Sequence, residues 1–476
     1  MNFASLQFAG FLSLLFLVYW AIPSFRVQNL VMLAASYYFY ACWDIQFLAL
    51  IILVTLAGHW AAILMFNHAQ DAHFKKKILW LFLIFNLSIL GAFKYFDFFS
   101  SSLAALLNSV GLSAHPLLLK LVLPAAISFY TFESISYVVG AFKGDLKVRP
   151  TLLEYALFIG FFPKLVAGPI ERPNVLIPQL SQPRRLDQTM LGRGLFLILL
   201  GLCKKVAIAD GLAPFVDGVF DVPGQHATSE VVLATVAFAF QIYCDFSGYS
   251  DIARGAALLF GIQLSLNFNF PYFSRDPSEF WKRWHISLSS WLRDYVYIPL
   301  GGNRSSEGKT YRNLMATMLI GGLWHGAAWT FIAWGAYHGA MLAVHRAVSP
   351  LLVAFDKNKR AWVSWAYQML SLAVFFVLTC YGWLLFRATS FDQVVSMTEA
   401  LFIFLPATSS LPPPPLSALL GVPLLLVYDW FGHRSPDQFA HERWPAPVRA
   451  GLYAGLFTLI LMGVANSRSA FIYFQF

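Results

Sequence analysis

Two histidines are the residues of this chain best suited to chemistry. His285 follows Trp284 in DPSEFWKRWHISLSSWLRDYVYIPLGGN, and His325 lies among small residues in IGGLWHGAAWTFIAWGAY. An imidazole changes its charge near neutral pH and can therefore take a proton from a hydroxyl group. Because an ionisable side chain deep in an apolar stretch costs free energy, the position of His325 indicates a functional site. His285 lies beside Trp284 in an amphipathic segment, a pattern that on its own is more typical of a histidine at the membrane interface. The candidate catalytic residues are His325 and, with the resemblance given below, His285.

Other polar residues in apolar stretches favour structural roles. His338 and His345 have fewer small neighbours than His325, which favours packing over chemistry. In QIYCDFSGYSDIARG we predict a structural polar network that fixes helix packing, made of Asp245, Asp251 and Arg254. The segments SFYTFESISY and KLVAGPIE contain further polar residues of this kind, and the Gly-Pro step in the second predicts a broken helix.

Several known chemistries have no motif here. The sequence lacks HExxH, HxxxxD, GxSxG, Walker and GxGxxG patterns. Its cysteines are far apart, which argues against a disulfide framework, a zinc ribbon and a redox pair; they are Cys42, Cys203, Cys244 and Cys380. We therefore expect neither a metal site nor a tightly bound cofactor.

The elements that position the two histidines must be membrane helices. Hydrophobic residues make up 58% of the chain and charged residues only 12%, which is too few to cover the surface of a soluble protein. A disordered chain is excluded by 46 Phe, 20 Tyr and 15 Trp. The net charge of +9 is typical of basic cytoplasmic loops, so no nucleic-acid partner is expected.

Uncharged stretches of spanning length predict an all-α polytopic membrane protein with about eleven crossings. The uncharged stretches are 2–25, 45–70, 313–345, 361–386, 400–428 and 450–467. Weaker stretches, which charged residues interrupt, are 78–95, 117–142, 152–170, 191–208 and 231–262. We predict one membrane-embedded domain over 1–476, with a catalytic region at about 241–346. Basic segments that favour the cytoplasmic side are 73–77, 143–149, 184–185 and 357–360, and the side of the N-terminus stays open.

The segment 276–303 predicts an amphipathic helix that is too short and too charged to span. Asp276 is a candidate N-cap, Pro277 suits the first helical position, and Glu279 completes a capping pattern. We expect the helix to end near Pro299 and to lie at the membrane interface or in a water-lined cavity. His285 falls on its aromatic face, and the basic residues off that face are Lys282, Arg283 and Arg293.

Longer blocks of this sequence resemble the membrane-bound O-acyltransferase superfamily. The most specific blocks are PSEFWKRWHISLSSWLRDYVYIPLGGNR and GGLWHGAAWTFIAWGAYHG, together with the C-terminal FIYFQF. ASYYFYACWD, SFYTFESISYVV, FFPKLVAGPIERP and QIYCDFSGYSDIARG are similar as well, so the likeness extends over nearly the whole chain. More narrowly, the chain resembles the bacterial branch that modifies polysaccharides with acetyl groups.

The resemblance implies a fold and an activity. The fold is a ring of transmembrane helices around a central funnel, with short re-entrant or interfacial helices. The activity transfers an acyl group from a thioester donor, acetyl-CoA or an acyl carrier protein, to a hydroxyl group. In polysaccharide-modifying members, acetyl passes from the cytoplasm across the inner membrane to a periplasmic SGNH-type acetyltransferase, beside a polysaccharide synthase complex. The expected acceptor is an exopolysaccharide of the alginate or cellulose type.

The resemblance maps the two functional histidines of the family onto His285 in WHIS and His325 in WHG. We expect His325 to be the base or a transient acyl carrier, and His285 to be a second proton handler or an oxyanion donor. The expected substrate-binding residues are aromatic ones that exclude water and basic ones that attract donor phosphates: Trp284, Trp291, Trp324, Lys282, Arg283 and Arg293.

Two other functions stay open from the sequence. The chain could be a solute transporter that uses the histidines as a proton relay, or a non-catalytic scaffold for a periplasmic acetylase. No residue distinguishes the acceptor polymer, or coenzyme A from a carrier protein as the donor.

Overall fold

The computed structural model describes residues 1–146, 149–222, 226–304, 306–356, 361–403, 412–435 and 437–464. These residues form helices and connecting segments, and none of them lies in a β-strand. The predicted all-α class is confirmed.

Contacts divide the chain into two compact units. The first contains Met1–Ile198 and Ser250–Ser265, and the second contains Leu199–Tyr249 and Leu266–Phe476. Each unit therefore combines two separate parts of the sequence. The single domain over 1–476 stays a prediction.

The helices in the first part of the chain are α1 (Leu6–Ala21), α2 (Phe25–Ala41), α3 (Gln46–Asn67), α4 (Ala72–Leu90), α5 (Phe96–Ser109), α6 (Ile127–Lys143), α7 (Leu152–Gly160), α8 (Phe162–Leu165), α9 (Pro173–Leu180) and α10 (Gln188–Leu202). They are followed by α11 (Asp210–Phe220), α12 (Thr228–Leu259), α13 (Pro277–Trp281), α14 (Ile286–Leu292), α15 (Glu307–His325), α16 (Trp329–Asp356), α17 (Ala361–Arg387), α18 (Phe391–Phe402), α19 (Leu416–His433) and α20 (Ala446–Gly463). The gap between α8 and α9 contains the predicted break at the Gly-Pro step.

Six helices of the described chain are long and apolar enough to cross a membrane, as judged by length and composition. They are Gln46–Asn67, Ala72–Ser109, Thr228–Leu259, Ala361–Arg387, Leu416–His433 and Ala446–Gly463. Each of them overlaps a predicted stretch, although the predicted number of crossings is not confirmed. In the region predicted as 400–428, α18 ends before the residues that are not described and α19 starts after them. The basic segment 357–360 and the C-terminal FIYFQF lie outside the described residues.

The predicted stretch 313–345 is two helices rather than one. Helix α15 ends at His325, Gly326 is extended, and α16 begins at Trp329. The break is short, so the two helices form a hairpin. His325 lies at the turn of this hairpin and not in the middle of a span.

Small residues let the two helices of this hairpin touch through their backbones. A Cβ atom at Gly322 would overlap the carbonyl oxygen of Phe331, and a Cβ atom at Gly335 would overlap that of Met318. Close approach of this kind is what small residues permit between membrane helices. It fixes the position of the helix end that carries His325.

The predicted helix 276–303 is interrupted. Asp276 caps α13 as predicted and accepts a hydrogen bond from the N–H of Glu279 at 2.8 Å. However, α13 ends at Trp281, and α14 begins only after His285, whose φ of 42° and ψ of 54° lie in the left-handed region. The prediction of one continuous helix with His285 on its aromatic face is therefore wrong. Side chains on both sides of such a residue still repeat at helical spacing, so the pattern hides the interruption.

Candidate active site

The amide group of Asn267 holds His285 and the residues that follow it. Its Oδ1 lies 3.1 Å from His285 Nδ1 and also accepts hydrogen bonds from the backbone N–H of Ser287 at 3.3 Å and from its hydroxyl at 2.9 Å. The backbone carbonyl of Asn267 accepts a further hydrogen bond from the N–H of Ile286 at 2.9 Å. These contacts stabilise the left-handed backbone of His285, which is otherwise unfavourable.

The same hydrogen bonds determine which ring nitrogen of His285 carries the proton. A backbone N–H can only donate, so the Asn267 atom that faces Ser287 is the amide oxygen. Because Nδ1 faces that oxygen, Nδ1 carries the proton and Nε2 keeps a lone pair. Nε2 is buried and has no hydrogen-bond partner among the described residues. Burial lowers the pKa of His285 to about 3, so the ring is neutral at physiological pH.

His325 is buried at the end of α15, with 5% of its surface exposed. The carbonyl end of a helix carries a partial negative charge, which stabilises positive charge on an imidazole. The ring centroid of Trp324 lies 5.6 Å from that of His285 and 5.0 Å from that of His325. One indole therefore contacts both of the predicted catalytic imidazoles.

Further aromatic rings enclose the two imidazoles. The ring of Phe246 lies 4.6 Å from that of His285, and the rings of Trp334 and Phe386 lie 5.0 and 5.2 Å from that of His325. Phe386 belongs to α17 and lies beyond the predicted catalytic region 241–346. The sequence did not indicate Phe386, because no spacing pattern connects α17 to the WHG motif.

The other predicted aromatic residues have different surroundings. Trp284 is fully buried, and its ring centroid lies 4.7 Å from that of Trp383. Trp291 stacks on Tyr295 at 4.9 Å.

The three predicted basic residues differ in exposure and in their ion pairs. Lys282 is exposed. Arg283 is half-buried and pairs with Glu279 at 3.0 Å. Arg293 is exposed and pairs with Asp294 at 2.8 Å. Arg283 and Arg293 are therefore both partly neutralised by neighbouring carboxylates.

In the predicted polar network, Asp245 has a partner that the sequence did not indicate, whereas Asp251 and Arg254 pair with each other. Lys205 lies 2.7 Å from Asp245 and 2.7 Å from Asp210, and all three side chains are buried. Asp251 pairs with Arg254 at 3.7 Å. A buried lysine that bridges two carboxylates from different elements is consistent with a structural role, because it ties those elements together.

The two histidines predicted to be structural are placed as follows. His338 is buried, and its ring lies 4.6 Å from that of Trp334. His345 is partly exposed and lies 3.7 Å from Asp276.

In the described part of the chain, no group of three or more His, Cys, Asp or Glu side chains could hold a metal ion.

Comparison with known proteins shows the family of this chain. Residues 68–386 match the family described as MBOAT, membrane-bound O-acyltransferase family. This matched segment includes both histidines and the aromatic wall around them.

Three relatives are similar over most of the chain. A protein named Probable alginate O-acetylase AlgI from Azotobacter vinelandii is 42% identical over 420 residues, which cover 88% of this chain and 81% of that protein. A protein of the same name from Pseudomonas putida is 38% identical over 100% of both chains. A protein named Peptidoglycan O-acetyltransferase from Helicobacter pylori is 36% identical over 82% of this chain and 78% of its own length.

Proposed function

We propose a function for this chain, which belongs to the membrane-bound O-acyltransferase family. It moves acetyl groups from a cytoplasmic thioester donor toward an alginate-type polysaccharide outside the membrane. As a member of that family, the chain is a multi-pass O-acyltransferase of the inner membrane, which favours this proposal over a transporter or a scaffold. Acetyl and alginate are taken from the names of relatives. Those names give no support to a cellulose-type acceptor.

The observation that carries the proposal is a neutral imidazole with a buried lone pair, which contacts the same indole as a second buried imidazole. His285 Nε2 provides the lone pair, and Trp324 contacts both rings. Transfer of an acyl group to an alcohol requires such a group to handle the hydroxyl proton. The aromatic wall excludes water, which limits hydrolysis of the thioester.

In the proposed reaction, the hydroxyl oxygen of the acceptor attacks the thioester carbonyl while His325 takes the hydroxyl proton. The new C–O bond forms and the C–S bond breaks. The proton then passes from His325 to the departing thiolate, so the products are an ester and a thiol. Because His325 ends α15, the carbonyl end of that helix stabilises the transient imidazolium.

His285 has a different role in this mechanism. A pKa of about 3 makes its ring a weak base, which argues against it as the main proton acceptor. Its Nε2 carries no proton, which argues against an oxyanion donor. We infer that Nε2 accepts a hydrogen bond from the acceptor hydroxyl and orients the oxygen for attack.

The donor and the partners are further parts of the proposal. Exposed Lys282 would attract the phosphates of coenzyme A or of a carrier-protein arm, with Arg283 and Arg293 in support. A periplasmic SGNH-type acetyltransferase and a polysaccharide synthase complex would receive and use the acetyl group.

Replacing each histidine tests the proposed function. We expect His325→Ala and His285→Asn to lower acetyl transfer by about 100-fold or more, while the protein still accumulates in the membrane. Asparagine is chosen because it tolerates the left-handed backbone. Transfer would be measured with radiolabelled acetyl-CoA in nanodiscs, and as acetyl content of the secreted polymer in cells.

A matched control separates chemistry from packing. His59 is a buried histidine of α3 in the first unit, and His59→Ala should retain acetyl transfer. Wild-type transfer in either His325→Ala or His285→Asn would remove that histidine from the mechanism.

A further inference from the structure

We propose that Asn267 is a positioning residue of the active site, which keeps the proton of His285 on Nδ1 and holds the backbone that aims Nε2. This inference rests on the proposed function, because it gives Nε2 the task of accepting the substrate hydroxyl. Asn267 was not among the residues that the sequence indicated. It lies 18 residues before His285 and is 1% exposed.

The first support is the convergence of donors on one atom. The Oδ1 of Asn267 faces His285 Nδ1, the Ser287 backbone N–H and the Ser287 hydroxyl, all within 3.3 Å. An amide oxygen has two lone pairs and no proton to give. A ring nitrogen beside it must therefore be the protonated one. Without this oxygen, the proton could move to Nε2 and block the lone pair.

The second support is the backbone on both sides of His285. The N–H of Ile286 donates to the carbonyl of Asn267, and the N–H of Asn269 donates to the carbonyl of Arg283, each at 2.9 Å. The guanidinium of Arg283 also donates to the carbonyl of Asn269 at 3.1 Å. The segment that begins at Asn267 is thus fastened before and after the left-handed residue. The side chain of Asn267 thus holds the ring of His285, and its main chain holds the backbone that follows His285.

The test compares three variants in nanodiscs with acetyl-CoA and a hydroxyl acceptor. Asn267→Ala removes the amide and should lower kcat by about 10- to 100-fold, the value of one or two lost hydrogen bonds. Ser287→Ala removes one donor to the same oxygen but leaves the His285 contact, and it should keep most of the activity. All three proteins must remain monodisperse with wild-type expression.

Asn267→Asp gives a readout that a purely structural role would not change. A carboxylate beside Nδ1 favours the charged imidazolium and raises the pKa of His285. Near neutral pH both ring nitrogens would then carry protons, so transfer should be low and should recover as the pH rises. In the wild type His285 stays neutral, so any rise with pH there comes from His325 alone, and the rise in Asn267→Asp should be larger and extend to higher pH. A pH profile of Asn267→Asp with the same shape as that of the wild type would overturn the proposal.

Nitrogen NMR of histidine-labelled protein reports the tautomer without any assay of activity. The His285 signals are identified by their loss in His285→Asn. We expect an unprotonated Nε2 in the wild type and a mixture of tautomers in Asn267→Ala. A protonated Nε2 in the wild type would refute the inference about Asn267. If instead the tautomer is as expected but His285→Asn is fully active, the role of His285 in the proposed function fails and the positioning by Asn267 stands.

Discussion

At the residue scale, burial sets the charge of His285 before any substrate binds. Its pKa in the folded protein is about 3, against an ordinary value of 6.5. Between these two values the unfolded chain binds a proton that the folded protein does not bind. Stability must therefore fall as the pH falls through this range.

This difference predicts a measurable pH effect. Below pH 6.5, His285 should reduce the free energy of unfolding by up to about 1.4 kcal/mol for each pH unit, down to about pH 3. The measurement is the melting temperature in detergent at a series of pH values, for the wild type and for His285→Asn. The variant should lose less stability on acidification, and equal slopes for the two proteins would contradict the assignment.

The residue types at the site were predictable, but their arrangement was not. A histidine in an apolar stretch is costly wherever it points, so the sequence around His325 indicated that imidazole, whereas His285 was indicated by the resemblance of the WHIS block to the family. Asn267 carried no such signal, because an asparagine in LSLNFNFPYF fits an ordinary loop. Only the folded chain shows that the side chain of Asn267 contacts His285, 18 residues later in the sequence.

At the element scale, the hairpin of α15 and α16 depends on the absence of side chains where the helices meet. We expect Gly322→Ala to force the Phe331 carbonyl away, to cost about 1–3 kcal/mol and to reduce acetyl transfer by displacing His325. Gly308, also in α15, has open space around it, so Gly308→Ala should be neutral or slightly stabilising. Melting temperature and transfer rate measured on both variants check this, and equal effects would argue against the contact.

Element types were predictable where apolar stretches were long and uninterrupted. The six apolar helices overlap predicted stretches for this reason. The interruptions at His285 and at Gly326 were not predicted, because hydrophobic periodicity reports which face is apolar and not the backbone angles of one residue. Both interruptions occur at or beside the candidate catalytic histidines, and at His285 the hydrogen bonds of Asn267 replace local helix bonds.

At the scale of the whole molecule, many apolar side chains face outward. In the most apolar part of Ala72–Ser109, only 17% of residues are buried inside the protein. An apolar surface of this extent is typical of proteins embedded in lipid, which agrees with a multi-pass membrane protein.

Charge on that surface should oppose insertion. Leu81 lies in α4 and is 54% exposed, and an arginine there should cost about 2.5–3.5 kcal/mol in the bilayer. Leu186 is 50% exposed but lies between α9 and α10, so Leu186→Arg should insert normally. Carbonate extraction of membranes measures the inserted fraction. Full insertion of Leu81→Arg would contradict a lipid-facing position for that residue.

The left-handed backbone at His285 has a practical consequence. Glycine adopts this conformation without strain, so His285→Gly would delete the ring and leave the main chain in place. The protein interior would then contain a cavity of the size and shape of an imidazole ring. Phe246 and Trp324 would form its walls, and the Asn267 side-chain oxygen would be its hydrogen-bond acceptor. Free imidazole added to the medium would fit that cavity and restore acyl transfer, so that the activity of the variant would depend on a small molecule.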